Sequence, residues 1–186
     1  MKHHILPAIK LTLVCLLFFS GIYTLLIFGI SQLAANNGKG EIITYNGKRF
    51  YANVGQQFTE DQYFWSRPSA VDYNGAGAAG SNKGPSNPEY LKTVKERIDN
   101  ILKHNPGIKR SEIPSDLVTA SGSGLDPNIS VDAAEIQVQR IAKLRNIDEN
   151  KIQKLISANT EKPFLGLFGT EKINVLKINI ALEGLK

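Results

Sequence analysis

The chain has 186 residues, with 22 Lys and Arg against 17 Asp and Glu and 42% hydrophobic side chains, an ordinary globular composition. That charge excess is too thin and too scattered for a dedicated nucleic-acid binder, which carries a concentrated basic stripe. The single cysteine, Cys15, excludes a disulfide scaffold, and the chain is long enough for one modest domain with its own core.

Residues Leu11 to Leu33 run for 23 positions without a charge. As a helix they span about 34 Å, enough to cross a hydrocarbon core of about 30 Å. A cleaved signal peptide would have a shorter apolar region and a small-x-small site. Here Leu33-Ala34-Ala35 places a bulky Leu at the first specificity position. The run therefore reads as an uncleaved membrane anchor. Lys2 and Lys10 precede it and the first cation after it is Lys39, so the positive-inside rule puts the amino terminus in the cytoplasm. The expected organisation is a cytoplasmic tail over 1–10, a transmembrane helix over 11–33 and one extracytoplasmic domain over 34–186. Ser20, Gly21 and Gly29 either permit close helix–helix approach or reflect the general frequency of Gly in membrane helices.

In the exported domain, Ile42–Tyr45 and Lys48–Val54 are β-favouring runs joined by Asn46-Gly47, the dipeptide of a two-residue hairpin turn. Asn87 and Pro88 form a helix start, with Leu91, Val94, Ile98 and Ile101 at helical spacing until Asn105-Pro106-Gly107. Ser130 caps a second helix with an apolar stripe of Ala134, Val138, Ile141 and Leu144. A third begins at Asp148, bracketed by the hydrophobic staple pair Ile147 and Ile152. Leu176, Ile178, Ile180 and Leu182 alternate, which predicts a terminal strand. A sheet joining the two ends of the domain follows as an expectation. The fold class is α+β: one membrane helix, then a domain with a small β-sheet and about three helices.

Between Ser66 and Pro88, 14 of 23 residues are Gly, Ser, Asn or Pro, and a loop this long reads as a contact-making surface segment. Within it Gly75-Ala76-Gly77-Ala78-Ala79-Gly80 matches a dinucleotide-binding pattern in letters only. Arg67-Pro68-Ser69 lies ahead of it and Pro85 and Pro88 behind, so the strand and helix the motif requires are missing. No Walker A loop occurs. The histidines are His3, His4 and His104, too few for a zinc site without cysteines or a carboxylate cluster. His104, beside a helix end, reads as a favourable charge there. A membrane-anchored hydrolase would need His104 with Ser121 or Ser123, and no nucleophile-elbow pattern supports it.

Two stretches are more informative. Tyr63-Phe64-Trp65-Ser66-Arg67-Pro68 sets three aromatics beside an arginine, the chemistry of a contact surface or of a satellite core in which Arg67 pairs a carboxylate. Asp116 to Pro127 is a hydroxyl-rich turn containing Ser121 and Ser123. Gln137 follows among Ala134, Val138 and Ile141; once buried it needs partners, either in this turn or from outside.

The segments 63–70, 80–88 (Gly-Ser-Asn-Lys-Gly-Pro-Ser-Asn-Pro) and 116–130, with Ala-Lys-Leu-Arg-Asn at 142–146 and Asn-Val-Leu-Lys-Ile-Asn-Ile-Ala-Leu at 174–182, resemble the C subunit of Kdp-type potassium-transporting ATPases over essentially the whole chain. Trp65-Ser66 stands where that family often has His-Gly or a related pair. The resemblance implies an accessory, non-catalytic subunit in a bacterial cytoplasmic membrane complex. Its implied partners are a channel-like potassium-binding subunit, a P-type ATPase subunit and a small single-helix subunit; no nucleic acid is involved. Two roles are implied. In one, the exported domain caps the outer mouth of the channel subunit, aiding assembly and potassium access, with Arg67, Phe64, Trp65, Asn82, Ser121 and Ser123 as candidate contacts. In the other, it raises the motor subunit's affinity for ATP, with Gln137 as the nucleotide contact. No cofactor is expected on the chain itself beyond ATP reached through the motor subunit, and no metal.

Overall fold

A computed structural model describes residues 2–185, which fall into two units dividing near residue 43. The first unit is one long helix. It runs as α1 (Lys2–Leu16), a π-helical stretch (Leu17–Tyr23) and α2 (Thr24–Ser31). Helix begins at Lys2, so the residues expected as a tail are helical. The 28 residues His4–Ser31 contain an 18-residue window of mean hydropathy 2.4 and have a length of about 42 Å, sufficient to span a bilayer. In the π stretch each carbonyl is offset by one residue, and the Thr24 hydroxyl donates to the Phe19 carbonyl at 3.0 Å.

The expected hairpin stands at the boundary of the two units. β1 (Ile42–Tyr45) pairs with β2 (Lys48–Tyr51) across Asn46 and Gly47, whose φ angles of 47° and 72° are what such a turn demands. An irregular stretch of 36 residues (52–87) follows. Helix α3 (Pro88–His104) then opens with the Asn87 side chain accepting from the Tyr90 N–H and Pro88 in its first turn. It stops at Asn105, as Asn105-Pro106-Gly107 predicts. Of its stripe, Ile101 enters the core, Val94 and Ile98 pack at its edge and Leu91 stays exposed.

The predicted second helix is two helices, α4 (Val131–Glu135) and α5 (Val138–Arg145). Gln137 explains the break. Its backbone N–H turns to the Ala134 carbonyl at 3.1 Å, while its side-chain amide takes over the Ala133 carbonyl at 2.7 Å. One side chain thus substitutes for the helical bond that the backbone gives up. Ser130 caps α4 as expected. Leu144 points to solvent. Helix α6 (Glu149–Asn159) has Asp148 accepting from the Asn150 N–H, with Ile152 in the core cluster and Ile147 partly buried against it.

The terminal strand is a correction. β5 covers only Lys172–Asn174, and α7 (Val175–Glu183) occupies the rest. Asn174 accepts from the Lys177 N–H at 3.1 Å and starts the helix. Val175, Ile178, Asn179 and Leu182 then share its buried face, a 3.6-residue period that the alternating leucines and isoleucines mask. The sheet joining the two ends is corrected too. β5 lies between β3 (Asn128–Ile129) and β4 (Thr160–Glu161), antiparallel to both, with Ile129 and Thr160 in register with Ile173. The amino-terminal hairpin forms its own two-stranded sheet. It is tied to β5 through a side chain, Asn174 donating to the Ala52 carbonyl at 2.7 Å. The core is filled by Ile129, Ile141, Ile152, Ile173, Ile178 and Leu182, with Phe64 inserted from the irregular stretch.

Candidate functional site

Residues 61–65 pair with no strand: the Tyr63 N–H closes a turn on the Glu60 carbonyl at 3.0 Å, and the chain runs on to Trp65 without regular structure. Their backbone is satisfied by side chains from α5 and α7. Asn179 on α7 accepts from the Phe64 N–H at 2.9 Å and donates to the Phe64 carbonyl at 3.0 Å. The Gln137 carbonyl oxygen accepts from the Trp65 N–H at 2.7 Å and from Arg140 Nη2 at 2.8 Å. Arg140 also donates to the carbonyls of Asp61 (2.9 Å) and Tyr63 (2.8 Å), and its guanidinium lies 4.4 Å from the Trp65 ring centroid. Arg145, one turn on, donates to the Gln62 carbonyl at 2.8 Å, ion-pairs with Glu183 and covers the Tyr63 ring at 4.9 Å. Two cations stacked on two aromatics form a rigid clamp on this segment.

The electrostatics follow from that packing. Burial pulls Arg140 down to about 10, with the Asp61 charge opposing, so it stays charged near neutrality. Glu183 lies below the ordinary carboxyl range because Arg145 and Tyr63 hydrogen-bond to it. Tyr63 is raised in turn, first by that bond to Glu183 and then by burial.

Beyond Trp65 the Ser66–Pro88 loop makes contacts, and it makes them with the hydroxyl-rich turn. Ser69 Oγ donates to the Gly124 carbonyl at 2.6 Å while accepting from the Val71 and Tyr73 N–H groups. Ala79 N–H donates to the Ser123 carbonyl at 2.9 Å. Gly124 has a φ of 68°, and a Cβ there would stand 2.6 Å from Val71 and 2.8 Å from the Ala79 carbonyl, so only glycine fits between loop and turn. Arg67 Nη1 bonds Asp126 at 2.7 Å, and Asp126 also accepts from the Asn128 N–H at 3.0 Å. The glycines at 75–80 lie in this loop with helix beginning only at Pro88.

The candidate contacts therefore separate. Phe64 is fully enclosed in the core and offers no surface. Arg67 is half-buried and paired with a carboxylate. Ser121 is buried and accepts from the Gly124 N–H at 2.8 Å. Ser123 is exposed, its hydroxyl accepting from the Leu125 N–H at 3.1 Å. Asn82 is exposed with a φ of 53°. Trp65 lines a cleft of about 610 Å³ together with Phe58, Arg97 and His104. Gln137 is 1% exposed, and it anchors the Trp65 segment, not the Ser121–Gly124 turn. His104 sits with Nδ1 2.8 and 2.9 Å from the two Asp61 oxygens and its ring against Trp65, while Ser121 and Ser123 bond within their own turn.

Arg140 and Asn179 were the functional-looking polar residues that the pattern of the sequence concealed. Asn179 lies in the apolar run Val175–Leu182, and Arg140 follows Gln137 by one helical turn. A polar residue interrupting an apolar face was the available signal for both. Among the described residues no group of three His, Cys, Asp or Glu side chains converges to hold a metal.

A family model described as "KdpC: K+-transporting ATPase, c chain" matches residues 5–184. A potassium-transporting ATPase KdpC subunit from Flavobacterium johnsoniae is 54% identical over 179 residues, covering 96% of each chain. One from Phocaeicola vulgatus is 52% identical over the full length of both. One from Bacillus mycoides is 41% identical, over 96% of this chain and 94% of the other.

Proposed function

The chain belongs to the KdpC family, the c chain of K+-transporting ATPases, and from that premise we propose that it serves as the accessory, non-motor subunit of a potassium-importing complex. The observation that carries the reading is the match over residues 5–184, which takes in the apolar helix as well as the folded domain. The chain contains no Asp-Lys-Thr-Gly phosphorylation motif, so the chemistry of ATP hydrolysis resides in another subunit. Its contribution is a membrane anchor and a rigid docking domain.

In this reading the domain lies on the outer face, as Lys2 and Lys10 direct, and touches the channel-like subunit there. Trp65, Asn82 and Ser123 keep exposed or half-exposed surface and are the contacts we retain. Arg67 acts behind them by fixing the loop to Asp126. Gln137 is assigned to the fold and not to ATP. Its amide is already used by Trp65, Arg140 and Ala133, and a cytoplasmic nucleotide is separated from an outer domain by the bilayer.

The test is transport in cells that depend on this complex at low external potassium. Deleting the chain should abolish high-affinity uptake, and unchanged uptake would refute the role. Orientation is read in a Cys15→Ser background with Glu135→Cys. An impermeant maleimide should label intact cells, and labelling only after lysis would place the domain inside.

A further inference from the structure

The most exposed apolar group in the second unit has no part in that reading. β4 and β5 are joined by a loop whose tip is Pro163-Phe164-Leu165-Gly166-Leu167-Phe168-Gly169. Phe164, Leu165, Leu167 and Phe168 are 65–81% exposed, four large side chains in five consecutive positions. Soluble surfaces seldom carry such a cluster without a use for it.

We propose that this tip inserts into the interfacial layer of the membrane that holds the chain's own anchor, as a second, peripheral point of attachment. Three observations favour a lipid surface over a protein groove. First, Pro163 to Gly169 contains no polar side chain, so the tip has nothing with which to specify a protein partner, whose contacts are rimmed by hydrogen-bonding groups.

Second, four of the six backbone N–H groups of the tip bond within it. The N–H groups of Phe164, Gly166, Leu167 and Phe168 bond to the carbonyls of Phe168, Pro163, Phe164 and Phe164, at 3.0 to 3.1 Å. That lowers the cost of entering the interfacial layer, where water still reaches the remaining peptide groups and only the hydrocarbon core demands complete internal pairing. Leu165 at φ 54° and Gly166 at φ 70° give the tight reversal that makes this possible.

Third, the chain is tethered. Only residues 32–41 separate the end of α2 from β1, a contour of about 35 Å at most. A domain of this size has a radius of gyration of about 14–15 Å, so its whole surface stays within reach of the bilayer. At the base, Glu161 and Glu171 offset Lys162 and Lys172, and Lys172 lies 3.8 Å from Glu161. The attachment is therefore apolar in origin and indifferent to anionic lipid. It depends on the anchor alone, not on the side of the membrane or on the other subunits.

The experiment uses the full chain with Cys15→Ser and Leu167→Cys, carrying an environment-sensitive dye at 167 and reconstituted in neutral phosphatidylcholine vesicles. A nitroxide on the upper acyl chain should quench the dye roughly twofold, with little effect of aqueous iodide. The same dye at Asp132→Cys, an exposed position of α4, should show the reverse. Adding Leu165→Asp and Phe168→Asp should return position 167 to the Asp132 pattern. Quenching by iodide and not by lipid would overturn the proposal. So would protection from both, which would mean a protein covers the tip, and so would lipid quenching that survives the two aspartates, which would mean the dye itself inserts.

Discussion

Asn179 completes both hydrogen bonds of Phe64, accepting from its N–H at 2.9 Å and donating to its carbonyl at 3.0 Å. One side-chain amide thus acts as a one-residue β-strand partner inside the core. Asn179→Leu keeps the volume but leaves two buried backbone groups unpaired, a loss of about 2–5 kcal/mol. Asn179→Asp keeps the acceptor and sets a carboxylate against the Phe64 carbonyl, so it should be no better at neutral pH and should recover partly in acid. Chemical denaturation of the two variants checks this, and a loss below 1 kcal/mol for Asn179→Leu would refute the assignment.

Gln137→Leu should cost about 2–4 kcal/mol, because the Trp65 N–H and the Ala133 carbonyl lose their partner and Arg140 Nη2 keeps only the Tyr63 carbonyl. Trp65 is the only tryptophan, so its emission reports the event directly and should shift to the red. Gln137→Glu preserves the acceptor next to Arg140 and should retain more of the wild-type spectrum. In the assembled complex, photo-crosslinking with an azido-nucleotide should leave this domain unmodified. A crosslink at Gln137 would restore the nucleotide-contact role.

Much of this architecture was readable locally. Asn46-Gly47, Asn87-Pro88, Ser130 and Asp148 each determine a turn or cap within a few residues, and each forms as expected. What was not readable depends on distant partners. Leu176, Ile178, Ile180 and Leu182 satisfy a strand period as well as a helical one, and the cap at Asn174 with the buried face of Asn179 decides between them. The irregular segment 61–65 has no signal at all, because its side-chain partners lie 70 to 120 positions away, on and beside α5 and on α7. Arg67 was open between a contact and an ion pair, and its position relative to Asp126 settles the geometry.

The Arg67–Asp126 pair is partly screened, with side-chain exposures of 22% and 28%. A double-mutant cycle should therefore give a coupling of only about 0.5–1 kcal/mol. Asp126→Ala should cost more than Arg67→Ala, since Asp126 also holds the Asn128 N–H. The sharper readout is local. The Ala79 N–H, bonded to the Ser123 carbonyl, should exchange about tenfold faster in Arg67→Ala while amides of α6 are unchanged. Equal acceleration throughout would mean that the pair serves global stability and not loop docking.

Glu183 gives the domain a pH dependence of definite sign. Its folded value lies below the ordinary 4.5 because Arg145 and then Tyr63 hydrogen-bond to the carboxylate. Stability from this group is present above that ordinary value and is lost as pH falls through the folded value. Tyr63 works in the opposite direction: raised above 10.0 chiefly by its bond to Glu183, it contributes below that value and is lost as pH rises through the folded one. Glu183→Gln should therefore lower the melting temperature at pH 7 and converge with wild type in acid, once both side chains are uncharged. Tyr63→Phe should act likewise but converge at the alkaline end. A melting-temperature difference for Glu183→Gln that stays constant from neutral to strongly acidic pH would show that Arg145 and Tyr63 do not hold the carboxylate in the folded domain.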